Sequence, residues 1–131
     1  MVLRIIFSVI ITVACLLYAQ DTEVKLFTKL FTSLFNKKIV YVYTENPKYK
    51  KLHSIFLKNV DDCNKADIVL GISKACKNKP HFLLDYYEYK RHKNAIGAFY
   101  WRKGRPQLRL RKNMILKYKL TITPEFEEFL E

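Results

Sequence analysis

The sequence predicts an α/β fold: one domain built on an open mixed sheet of about five strands, with helices on both faces and an antiparallel hairpin towards the C-terminus. Three observations carry that expectation. Helical and strand-like apolar periodicities alternate along the chain. Residues 66–72, Ala-Asp-Ile-Val-Leu-Gly-Ile, form a short, nearly continuous apolar run of the kind found in strands covered on both sides. Residues 94–110 hold two alternating segments around a turn of Arg102, Lys103, Gly104 and Arg105, which is a hairpin pattern. With 131 residues, half of them apolar, the chain can bury a single core.

The first element is a leader. Residues 1–19 begin with one cation, Arg4, continue through an uncharged apolar stretch from Ile5 to Tyr18 and end at Ala19, the pattern of a secretory signal peptide. Cleavage after Ala19 leaves an exported domain of residues 20–131. A second reading makes Thr12-Val13-Ala14-Cys15 a lipoprotein box with the lipid on Cys15, and it fits less well because Leu16, Leu17 and Tyr18 follow where a polar tether is usual; an uncleaved membrane anchor fits less well again. The whole chain has a formal charge of +12, and loss of Arg4 leaves 23 cations against 12 anions, a charge of +11. Such a balance favours anionic partners, including the head groups of a membrane surface, envelope polymers and acidic protein faces. Export argues against nucleic acid.

Residues 22–38 predict an amphipathic helix, with Val24, Phe27, Leu30, Phe31, Leu34 and Phe35 on one face and Lys25, Lys29, Thr32 and Asn36 on the other. Residues 39–43, Ile-Val-Tyr-Val-Tyr, are β-branched and aromatic and predict the first strand. Asn46 then caps a helix with Pro47 at its first position, and Tyr49, Leu52, Phe56 and Val60 form the buried face with His53 at its boundary. Residues 66–72 are the central strand and 80–85 the third. Residues 86–91 form a helical turn or an irregular segment, and Tyr86, Tyr87 and Tyr89 fall near a strand end, where α/β sheets open crevices.

In the hairpin, Ile96, Ala98 and Tyr100 alternate with Gly97, Phe99 and Trp101, so both faces are apolar and the strand is interior. Its partner has Leu108 and Leu110 on one face and Gln107, Arg109 and Arg111 on the other, with Pro106 marking an edge strand whose polar face meets water. A short helix at 113–119, an extended 120–122 and a final helix capped by Thr123 and begun by Pro124 follow, the last with Phe126, Phe129 and Leu130 on its apolar side.

Two cysteines remain after the leader, Cys63 and Cys76, in a compartment that permits disulfides. A strand of about 20 Å separates them, whereas bridged Cα atoms lie within about 7 Å. An intramolecular bridge, free thiols and a bridge to a partner all stay open. Cys63, Cys76 and His81 match no metal or haem spacing, and neither metal nor cofactor is expected. There is no glycine-rich nucleotide loop. Hydrolysis would require a cleft joining His81, Asp85 and a nucleophile that no motif supplies, so the expectation is a protein without enzymatic activity. Surface chemistry remains. Tyr100, Trp101, Arg102, Lys103 and Arg105 at the hairpin tip are candidate partner-binding residues, because aromatic and arginine side chains dominate interface energetics. Arg105, Arg109 and Arg111 are candidate anion-binding residues.

Gly97-Ala98-Phe99, the turn Gly104-Arg105, the alternation of Leu108 and Leu110, and Leu120-Thr121-Ile122-Thr123 before the last helix fall in an ungapped order. In that order, and with the leader, Phe-rich helix and first strand upstream, the chain resembles the YfiR-like family of small periplasmic proteins over nearly its whole mature length. It departs from the family pattern at Phe35-Asn36-Lys37, where Trp-Pro is usual, at Arg109-Leu110-Arg111, where acidic-apolar-Asn is usual, and at Lys119, where a small residue is usual. The resemblance implies a non-catalytic regulator that binds the periplasmic part of an inner-membrane signalling protein, in the type case restraining a diguanylate cyclase. It also implies that the chain can form homodimers and carry disulfides.

Overall fold

The computed structural model describes residues 22–52 and 54–131; the leader, Cys15 and His53 lie outside the described residues. Helical backbone runs through residues 22–35 (α1) and is followed by β1 (Val40–Thr44), α2 (Pro47–Lys50), β2 (Leu57–Asn59) and β3 (Ile68–Leu70). The chain continues through β4 (His81–Leu83), α3 (Tyr86–Arg91), β5 (Gly97–Arg102), β6 (Arg105–Leu110) and α4 (Lys112–Lys117). Single 3-10 turns occupy Cys63–Lys65 and Lys74–Cys76, and a longer one Pro124–Phe129. The strands form one mixed sheet in the order β2-β1-β3-β4-β5-β6, in which β6 alone runs antiparallel to its neighbour.

One face of that sheet is the core. Phe27, Leu30, Phe31 and Leu34, spaced to lie on one stripe of α1, are fully buried against Val40, Val42, Ile68, Leu70, Phe82, Phe99 and Leu110. Each such side chain contributes about 1.5–3 kcal/mol of hydrophobic stabilisation. The Phe27 ring stacks on Phe31 at 5.5 Å and meets Phe82 and Phe99 edge-on at 5.9 and 5.7 Å. Tyr49 of α2 and Met114 and Ile115 of α4 close the same layer, so α3 is the helix of the opposite face, over β4 and β5. The extended segment after α4 is tied back by Thr121 N–H, which donates to the Leu34 carbonyl at the end of α1 at 2.8 Å.

Three expectations need correction. The helix begun by Asn46 and Pro47 is a single turn, and Leu57–Asn59 is instead an edge strand parallel to β1, which raises the strand count to six. The Asn46 cap forms as expected, but the Asn59 side-chain amide donates to the carbonyls of Lys50 and Leu52 and ends the turn. Leu57 then reaches the core by sheet pairing, which serves burial as well as helical spacing would. The last helix is 3-10, and the Thr123 hydroxyl bonds Ser33 rather than its own backbone. The hairpin turn is tighter than four residues: Arg102 pairs with Arg105, and Lys103 and Gly104 turn the chain with φ of 52° and 74°.

Cys63 and Cys76 form a disulfide with Cα atoms 5.9 Å apart. The separation that spoke against it disappears because β3 is only three residues long, and the two flanking 3-10 turns fold back and meet.

Candidate functional site

The hairpin positions both sets of candidate residues, and its register decides which can act together. Gly97 faces Leu110, Phe99 faces Leu108 and Tyr100 faces Gln107. A Cβ at Gly97 would lie 2.5 Å from the Arg109 carbonyl oxygen and 3.2 Å from the Phe82 ring, so only glycine lets β6 approach this closely.

The five tip residues do not form one surface. Tyr100 is only 5% exposed, and its hydroxyl accepts a hydrogen bond from Arg109 Nε at 3.2 Å, which removes it from the contact set. Trp101 turns to the α1 face, where its ring meets Phe99 edge-on and its Nε1 donates to the buried Glu23 carboxylate at 2.9 Å; it remains 44% exposed. Arg102 points to the other face and lies over the Tyr86 ring. Arg102, Lys103 and Arg105 are solvent-exposed.

The anion set also divides. Arg105 stands at the tip, four residues or about 14 Å along the strand from Arg109. Arg109 and Arg111 instead border a crevice between α3 and β6 of about 500 Å³, together with Lys90 and Lys93. The polar face of β6 is therefore partly roofed by α3, where open water was expected. Sequence reasoning missed the two lysines, since nothing local places residues 90 and 93 beside β6. Tyr86 and Tyr89 line the crevice as well, while Tyr87 points to solvent and is 70% exposed.

Each arginine has a defined task. The Arg111 guanidinium donates to the carbonyls of Tyr89, His92 and Ala95, each at 2.9 Å, and stacks 4.1 Å from the Tyr89 ring centre. It thereby satisfies the exposed carbonyl end of α3 and the loop after it, as a cation at the negative pole of a helix does. Arg109 pairs with Glu131, whose second carboxylate oxygen accepts from the Tyr89 hydroxyl at 3.1 Å. The hydrogen bond to Glu131 and that to Tyr100 hold the Arg109 guanidinium above its ordinary pKa. Burial pushes the Tyr89 hydroxyl up to about 12, with Arg111 opposing and Glu131 adding to the effect. Lys90 and Lys93 have no carboxylate partner among the described residues. Four cationic side chains thus face one acidic side chain around the crevice.

The remaining candidates are engaged elsewhere. The His81 ring nitrogens lie 2.7 and 3.2 Å from the carbonyl oxygens of Lys79 and Ser73, and Asp85 caps α3 by accepting from Glu88 N–H at 3.0 Å. With Cys63 and Cys76 joined, no group of three or more His, Cys, Asp or Glu among the described residues is arranged to hold a metal ion. A second, acidic crevice of about 290 Å³ opens at the carboxyl ends of β1, β3 and β4 beside Glu45, Asp85 and Glu88. Glu45 there accepts from Ser73.

No protein-family model matches the chain, and no curated protein matches it.

Proposed function

We propose that this chain is an exported regulatory protein that acts by protein–protein contact, binding the periplasmic part of an inner-membrane signalling protein such as a diguanylate cyclase. The observation that carries this reading is the β5–β6 hairpin: it ends the sheet, and it presents solvent-exposed Arg102, Lys103 and Arg105 at its tip. A cationic tip suits an acidic protein face. The YfiR-like pattern of residues supports the same function. Affinity capture from solubilised membranes tests it. The expected catch is an inner-membrane protein, recovered about tenfold less well by the Arg102→Glu/Arg105→Glu variant; equal recovery by that variant removes the tip as the contact.

The basic crevice favours a second reading, a binding module for an anionic solute or envelope polymer. That reading expects retention on an anionic polysaccharide or phospholipid surface that is lost as salt rises. Absence of retention at low salt excludes it.

A further inference from the structure

The chain already holds an acidic, extended segment against its own basic crevice. Leu130 forms a parallel bridge with Leu110 at the end of β6. Glu131 N–H donates to the Leu110 carbonyl at 2.8 Å, and Lys112 N–H donates to the Glu131 carbonyl at 3.2 Å. The Glu131 side chain then reaches across to Arg109 and Tyr89. Backbone pairing to a strand edge is how an added strand gains affinity, and its alternate side chains, here a carboxylate on a guanidinium, give specificity.

The rest of that edge has no neighbouring strand among the described residues. The two-residue turn makes Arg102 and Arg105 a hydrogen-bonded pair, so by alternation Gln107 and Arg109 bond inward to β5 while Pro106, Leu108 and Leu110 present their backbone outward. Leu110 is met by residues 130 and 131. Leu108 N–H and the carbonyls of Pro106 and Leu108 face away from the sheet with no strand beside them among the described residues. Lys90 and Lys93 stand over the same side of the crevice without an internal partner among the described residues.

We propose that the outer edge of β6 and the adjoining crevice dock an extended acidic segment of the partner protein, which adds to the sheet beside β6 and displaces Leu130 and Glu131. One carboxylate replaces Glu131 on Arg109 and others meet Lys90 and Lys93. Glu131 is then an internal competitor that keeps the free site occupied. This inference rests on the interaction reading above and names what the partner must carry.

Fluorescence anisotropy of the full chain with a labelled six-residue peptide of alternating Glu and Val tests it, with a Lys-Val peptide as control. The Glu-Val peptide is expected to bind and the control not. Glu131→Gln is expected to tighten binding about fivefold by removing the competitor, and Lys90→Glu/Lys93→Glu, both solvent-exposed, to weaken it about tenfold or more. A Glu-Val peptide N-methylated at alternate amides is expected to lose binding, because strand addition needs those groups. Equal binding of the methylated peptide overturns edge pairing. Glu131→Gln without effect, or weaker, overturns the competitor role. Inorganic phosphate competing as well as unlabelled Glu-Val peptide reassigns the crevice to small oxyanions and overturns the proposal. A chain that captures its membrane partner yet ignores the peptide loses this inference and keeps the interaction reading.

Discussion

The two faces of the sheet are held by different physics. On the α1 face, Phe27, Phe31, Phe82 and Phe99 interlock with aliphatic neighbours, and the stabilisation comes from apolar area. On the α3 face the buried cluster is small, Leu83, Tyr89, Ala95, Ala98 and Tyr100, and three charged side chains, Arg109, Arg111 and Glu131, hold its border. The first face repeats one kind of contact many times. The second depends on a few directional bonds that can be exchanged for others, and there the crevice opens. A binding surface needs groups whose partners can change, and close-packed hydrocarbon has none.

That comparison can be broken by substitution. Phe27→Ala should cost the most, about 3–5 kcal/mol, since the ring leaves a cavity among four other rings; urea denaturation followed by Trp101 emission measures it, and a loss under 1 kcal/mol would show that the face is not packed as described. Opening the Cys63–Cys76 bridge, which ties together the ends of the loop around β3, should cost about 3 kcal/mol. The comparison is between midpoints in oxidising and reducing buffer, and identical midpoints would mean the bridge constrains nothing.

Arg111→Gln tests the other face. It should lower stability by about 1.5–3 kcal/mol through loss of charge-assisted bonds to three carbonyls, and amide exchange should rise selectively in residues 86–95. Uniform exchange throughout would contradict a role at the end of α3.

Alkaline pH reads both faces at once. Burial pushes Tyr49 on the α1 face and Tyr89 on the α3 face up to about 12 from the usual 10. The unfolded chain then releases these protons first, so their contribution to stability is complete below about pH 10 and is lost as pH rises towards 12. Tyr89→Phe and Tyr49→Phe should each flatten part of that decline in pH-dependent urea midpoints; an unchanged slope would count against burial of the hydroxyl concerned. The smallest effect is expected at Lys119, whose φ of 56° lies in the left-handed region. Lys119→Gly should stabilise by about 0.5–1 kcal/mol in the same assay, and a loss would show that the lysine side chain outweighs the strain of its backbone.

Much of this was legible along the chain. The 3.6-residue stripe of α1, the alternation of β5 and β6, the run that became β3 and the Asn46-Pro47 start all appear where local periodicity places them. Periodicity failed at Leu57, because residues 52, 56 and 60 suit a helical face while Leu57 serves a strand edge equally well, and only the open side of β1 decided between them.

The sequence by itself determined what is local: which residues are apolar, at what period, and where Gly104 and Pro47 allow a turn or a helix start. Tertiary structure decided what is brought together across the chain. It joined Cys63 to Cys76, sent Trp101 and Arg102 to opposite faces, and gathered Lys90, Lys93, Arg109, Arg111 and Glu131 around one crevice. The physical reason is that backbone periodicity acts over a few residues, whereas charge and hydrogen bonding act over a few ångströms between residues that any number of positions can separate.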